Sequence, residues 1–179
     1  DEAFVQEMMD QTISTFGSLN ILVNNASIRA DSPFLTLSLT EWREVTSIFL
    51  DGAFLCAKLA LPHMLQTGAG RIVNVGGVSA HLGAAHRAHV ITAKAGIVGL
   101  TKALAFEFSP QGVTVNCVVP GKIGGKRSAT SGKGIDASPL TPVEGHVEDV
   151  AKMISHLCLP TSRYVTGQSI HVSGGMYMP

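Results

Sequence analysis

The sequence predicts an α/β fold, a doubly wound parallel sheet, and three observations carry that prediction. Strand-like and helix-like segments alternate four times along the chain. The strand-like segments are continuous apolar runs, the pattern of strands covered on both faces. Asn24-Asn25, Gly76-Gly77 and Pro120-Gly121 each close such a run. Three loops therefore converge on one crevice outside the carboxyl ends of the strands, where ligands bind in open parallel sheets.

Each element has its own reason. Phe4, Val5, Met8, Met9 and Ile13 recur at helical spacing over Glu2 to Thr15, and Gly17 ends the run. Asn20 to Asn25 is a short apolar run with polar ends, a buried strand. Thr40 is placed to cap a long helix from Glu41 towards Gln66, which Pro62 is expected to kink or shorten. Arg71 to Val75 reads as the second strand. His86 to Ser109 is a long apolar helix stopped near Pro110, and the β-branched run Val113 to Val119 is the third strand. Pro120 to Leu140 is rich in Gly, Ser and Lys and lacks periodicity, so it is expected to be a mobile functional loop that tightens on a ligand. A helix over Val147 to Leu159 and a strand over Ser169 to Val172 complete the pattern, with right-handed crossovers between parallel strands.

Composition narrows the class. The 179 residues fit one domain. Hydrophobic residues make up 45% and charged residues only 15%, so part of the surface is expected to be covered by another subunit. Thirteen basic and thirteen acidic residues cancel without a basic run, which recommends neither nucleic acid nor an anionic membrane as a partner. Cys56, Cys117 and Cys158 lie far apart in apolar segments without metal-ligand spacing and read as buried thiols of a reducing compartment. No apolar run reaches the roughly 18 residues of a membrane span and no signal peptide is visible, so a soluble cytoplasmic protein is expected. Asp1 opens inside a helical pattern without an initiator Met, as a fragment would.

Five segments together resemble the short-chain dehydrogenase/reductase family, near its 3-oxoacyl-acyl-carrier-protein reductase type. They are Leu22-Val23-Asn24-Asn25-Ala26, Gly70 to Val75, Ala93-Lys94-Ala95-Gly96, Val115 to Gly121 and Thr166 to Gly175. The resemblance implies a Rossmann-like domain lacking its first βα units, residues 1–179 being the C-terminal two-thirds of it. Its glycine-rich phosphate-binding turn has no counterpart here. It further implies NAD or NADP as cofactor, a choice this sequence does not make, with Asn24, Ala26, Lys94, Pro120, Gly121 and Ile123 as dinucleotide-contacting positions. A small-molecule substrate and a homotetramer, or at least a dimer, built on the two long helices and the C-terminal strand, complete the family expectation.

At the chemistry this sequence departs from the family. The Tyr of the family's Y-x-x-x-K motif falls on Val90, its Ser on Gly77 and its helix-borne Asn on Phe49, while Lys94 is kept. A Thr that contacts the nicotinamide amide falls on Gly125, and the Gly of N-N-A-G is Ser27. Valine has neither donor nor acceptor and cannot handle a proton. Bland alternatives stand beside these assignments: Lys94 as a surface lysine, Gly76-Gly77 as a strand-ending turn, and His89, His86 and His81 as ordinary histidines. His89 is the candidate substitute acid, although neighbouring helix residues point about 100° apart. Three functions follow: a degenerate family member, an active NAD(P)-dependent oxidoreductase on a ketone, alcohol or 3-oxoacyl thioester with a substitute acid, and a non-redox enzyme that has reused the crevice.

Overall fold

In the computed structural model, which describes residues 1–124 and 137–179, all four strands form and pair in parallel. β1 (Ile21–Asn24), β2 (Arg71–Val75), β3 (Thr114–Pro120) and β4 (Ser169–Val172) lie side by side in that order. The register sets Leu22 beside Ile72 and Ile72 beside Val115. Seven β-branched or apolar side chains of β2 and β3 are almost wholly buried, which is why these two strands form the centre of the sheet. The Pro120–Leu140 loop lies largely outside the described residues.

The helices divide between the two faces. α1 (Glu2–Phe16) ends at Gly17 in the left-handed region, φ 78, and sets Met9 beside Ala60 and Met64. α2 (Leu39–Thr46), a π-helical turn (Ser47–Asp51) and α3 (Gly52–Thr67) run on as one rod. α4 (Ser79–Leu82) is a single turn, and α5 (Ala88–Phe108) lies along β2 and β3. α5 buries Val90, Ala93, Ile97, Thr101 and Ala105, a stripe at three- and four-residue spacing. α6 (Val147–Cys158) covers the opposite face, where Leu157 packs on Val73 and Val118.

Four expectations need correction. Ser38, not Thr40, caps the long rod: its Oγ accepts from Glu41 N at 3.2 Å while the Glu41 carboxylate accepts from Ser38 N at 2.8 Å, a reciprocal box that satisfies two orphan donors. Pro62 does not shorten α3, which continues to Thr67; the irregularity falls at the π turn carrying Phe49. The crossovers are not all right-handed. α5 and α6 link strands stepping in the same direction but cover opposite faces, so the two connections have opposite hands. Finally, Leu39–Thr67 and Ala88–Gln111 are, by length and composition, apolar enough to cross a membrane, because each holds an 18-residue stretch with at most two charged residues. Here one side of each rod packs on the sheet core.

Candidate active site

Three strand ends open together, and hydrogen bonds lock them. At the end of β1, Asn24 Nδ2 donates to Asn74 Oδ1 at 2.8 Å; Asn74 Nδ2 donates to Thr101 Oγ1 at 2.9 Å; Thr101 Oγ1 donates to the Ile97 carbonyl at 2.8 Å. Asn74 and Thr101 are wholly buried, so each link offsets a desolvation cost of about 1–3 kcal/mol. Asn116 clamps the turn before β4, donating to the Val165 carbonyl at 2.7 Å and accepting from Gln168 N at 3.1 Å. Beyond the strands, Val78 N donates to the Pro120 carbonyl at 3.0 Å and Gly121 N to the Val172 carbonyl at 2.9 Å. A Cβ on Gly121 would lie 2.6 Å from Ser173 Cα, so this close crossing admits only glycine.

The wall beside these strand ends is apolar. Phe49 from the π turn and Val90 from the first turn of α5 join Val45 and Ala93 in one buried cluster, with Ile28, Ala30 and Leu50 packed against it. Phe49 and Val90 are 3% and 2% exposed. The two positions expected from the resemblance to carry an Asn and a Tyr are thus core here. Lys94 lies one residue beyond Ala93, and its side chain folds over Gly77: a Cβ on Gly77 would lie 3.0 Å from Lys94 Cδ and would collide with Nζ. The ammonium stands 5.9 Å from the centre of the Phe49 ring, at cation–π range.

Electrostatics follow from this placement. Burial, with the positive charges of Arg29 and Arg87 adding to it, lowers the Lys94 pKa to about 8. No hydrogen bond or ion pair to Nζ occurs among the described residues. Arg87, at the start of α5, pairs with Asp31 at 2.5 Å, and Ser32 N donates to the His86 carbonyl at 2.8 Å. These contacts hold the loop after β1 against α5. Burial raises the Cys117 thiol to about 11, so it stays protonated beneath Lys94.

The histidines separate. His89 is wholly buried with neither ring nitrogen hydrogen-bonded among the described residues, and burial lowers its pKa against the pull of Glu41 and Asp31. His86 is exposed and takes φ 61. His81 does not turn to the crevice: it sits on α4 and packs with His171 and Tyr177, ring centres 4.7 and 4.8 Å away.

The structure brings Asn24, Gly77, Lys94, Pro120 and Gly121 to the strand ends and places Phe49 and Val90 in the adjoining core. Ala26 is exposed in the loop after β1, and Ile123 forms an isolated bridge with Gly145. Ser27 is exposed in that same loop, and Gly125 lies outside the described residues. Sequence reasoning missed Asn74, Thr101 and Asn116; polar side chains inside otherwise continuous apolar runs were the signal. No group of three or more His, Cys, Asp or Glu among the described residues is placed to hold a metal ion.

Known proteins resemble this chain along its whole length. The sequence model of the family described as Enoyl-(Acyl carrier protein) reductase matches residues 1–177. The 3-oxoacyl-[acyl-carrier-protein] reductase FabG of Staphylococcus aureus is 37% identical over 178 residues, 97% of this chain and 72% of the relative. The protein of the same name from Buchnera aphidicola is 34% identical over 182 residues, 98% of this chain and 73% of the relative. The 3-oxoacyl-[acyl-carrier-protein] reductase of Synechocystis is 37% identical over 180 residues, 97% of this chain and 71% of the relative.

Proposed function

This chain belongs to the short-chain dehydrogenase/reductase family, and from that premise we propose that it is a member degenerate in the usual hydride-transfer chemistry. The observation that carries the reading is the merging of Phe49 and Val90 into one buried apolar cluster, with Lys94 laid over Gly77. Proton transfer from a positioned side chain is worth about 10²–10⁴-fold, and one oxyanion hydrogen bond about 10²–10³-fold. The two effects are not additive. Without donors at residues 49, 77 and 90, turnover on a carbonyl substrate falls at least about 10³-fold below an ordinary member.

The crevice still suits a nicotinamide dinucleotide, NAD or NADP. Lys94 has an amine without an acceptor among the described residues, Asn24, Pro120 and Gly121 stand at the strand ends, and Ala26 and Ile123 lie in the loops that follow. Bound there, the dinucleotide would supply the hydride. This chain would supply the donor at Lys94 Nζ and the rigid strand ends, but no acid for the substrate oxygen. The complete burial of His89 supports the same reading, since a proton on its ring does not reach the crevice.

Two further features belong to this reading. Ile21 and Val23 are 47% and 39% exposed on the face of β1 that α6 leaves uncovered, which supports a domain whose sheet continues past β1, residues 1–179 being its later two-thirds. An apolar groove between α3 and α5, lined by Phe54, Leu61, Leu65, Leu100, Leu104 and Phe108, supports a second copy of the chain as its cover, in a dimer or homotetramer within the cytoplasm. The names of the 37% identical relatives favour the second reading, an active NAD(P)-dependent oxidoreductase on a 3-oxoacyl thioester, ketone or alcohol. Dinucleotide titration of the full-length protein, with a turnover assay on β-ketoacyl thioesters and simple ketones, separates the two. Binding without turnover supports degeneracy; turnover at several per second, an ordinary enzyme rate, refutes it.

A further inference from the structure

We propose that Lys94 is a nucleophilic amine that condenses with small carbonyl compounds, so that the crevice forms a Schiff base in place of reducing a ketone. The inference rests on the degenerate reading, because it requires an amine without an acidic partner at residue 90.

The geometry isolates the amine. Lys94 leaves α5 immediately after the buried stripe residue Ala93, and its stem crosses Gly77, where any side chain would displace it. The Phe49 ring stands on one side and the protonated Cys117 thiol lies beneath. Arg29 and Arg87, both positive, push against its charge, the opposing pull of Cys117 is the weakest influence on it, and Asp31 is paired with Arg87. No carboxylate pairs with the ammonium among the described residues, and the apolar wall favours the free base. The residue remains partly exposed at the strand ends, so a small molecule reaches it. A lysine desolvated beside other cations is the environment in which amines become nucleophiles at neutral pH. With a pKa near 8, the neutral fraction at pH 7 is hundreds of times that of a solvated lysine, whose pKa is about 10.4.

The step balances without a redox partner. The Nζ lone pair forms the C–N bond, and one amine proton moves to the carbonyl oxygen to give a carbinolamine. That oxygen then leaves as water with the second amine proton, and an imine remains on Nζ. The positive charge of Arg29, which acts on the amine, favours a carbonyl compound that also carries a carboxylate.

The test uses glyoxylate as probe and cyanoborohydride as trap on the full-length protein at pH 7, with peptide mass mapping. The internal references are Lys102 and Lys152, both exposed on helices. Lys94 is expected to be alkylated at least about tenfold faster than either, below the full gain in neutral amine because a less basic amine is also a weaker nucleophile. Gly77→Ser, which must push the amine aside, is expected to slow that labelling severalfold while Lys102 is unchanged. Labelling of Lys94 at or below the rate of Lys102 and Lys152 overturns the proposal. Ketone turnover measured on the same preparation distinguishes the failures. No adduct and no turnover leaves the degenerate reading standing and removes only the Schiff base; ordinary turnover removes both.

Discussion

Helix α5 faces the sheet with one stripe, yet the two ends of that stripe meet different interiors. At Thr101 it enters a polar chain in which Asn24, Asn74 and the Ile97 carbonyl are linked. Three turns earlier, at Val90, it enters an apolar cluster with Phe49, Val45 and Ala93. Both regions are buried to the same degree. Burial alone therefore does not exclude polar groups from this protein; Asn74 and Thr101 are kept in the core by hydrogen bonds to each other and to their neighbours. The apolar cluster lies where the family's proton-handling side chains would need a route to substrate. On the proposed reading that packing closes the route, while the hydrogen-bonded strand ends remain.

The sharpest challenge to this contrast is to put the chemistry back. Phe49→Asn, Gly77→Ser and Val90→Tyr together are expected to raise carbonyl-reductase turnover of the full-length protein at least about 10²-fold, the lower end of acid–base assistance. Gly77→Ser with Val90→Tyr alone is expected to recover less, because Phe49 still fills the space a tyrosine ring requires. Steady-state rates on a β-ketoacyl thioester decide between these outcomes.

On the polar side, Asn74→Ala should cost about 2–3 kcal/mol by urea unfolding, since it empties a buried site and takes a partner from half-buried Asn24 and buried Thr101. A cost below about 0.5 kcal/mol, the level of an ordinary surface change, would mean the chain of hydrogen bonds does not hold the strand ends. On the apolar side, Val90→Tyr as a single change is expected to destabilise by about 1–3 kcal/mol through overpacking, and pairing it with Phe49→Asn should reduce that loss.

Lys94 bridges the two regions and gives the smallest effect. Its folded pKa, near 8, lies below the solvated value, so the unfolded chain binds more protons between those two values. Stability therefore rises with pH from about 8 to about 10.4. Below pH 8 the penalty of the buried ammonium is fully present. Lys94→Met should remove it, adding about 1 kcal/mol at pH 7 and flattening the rise. Thermal melts across that range check the sign; a wild-type curve falling over the same interval would contradict it.

Much of this was legible in the sequence. Runs such as Val113 to Val119 fix a buried strand because β-branched apolar residues on both faces leave few other placements. The Ser38–Glu41 box was also readable, but Thr40 next to the apolar run drew the cap two residues too far. The π turn at Ser47–Asp51 was not legible, since it lies where the rod passes from α2, which packs on α5, to α3, which packs on α1 and β1. Nor was the side of the sheet that α6 covers; the sequence shows its stripe of Val150, Met153, Ile154 and Leu157 but not which face lacks a cover. That Phe49, Gly77 and Val90 bring no side-chain donor to the positions expected from the family spacing was visible in the sequence. That Phe49 and Val90 share one core, and that Lys94 lies across Gly77, required coordinates.

The central claim is that the closed apolar seam has removed proton transfer from an otherwise intact scaffold. Its most direct test is the turnover number of the unmodified full-length protein on a β-ketoacyl thioester, with saturating NADPH or NADH. The account predicts a rate at least about 10³-fold below the several-per-second range of ordinary enzymes, with dinucleotide binding still measurable. A rate within that ordinary range would contradict it and return the acid's role to a side chain that the fold keeps near Lys94.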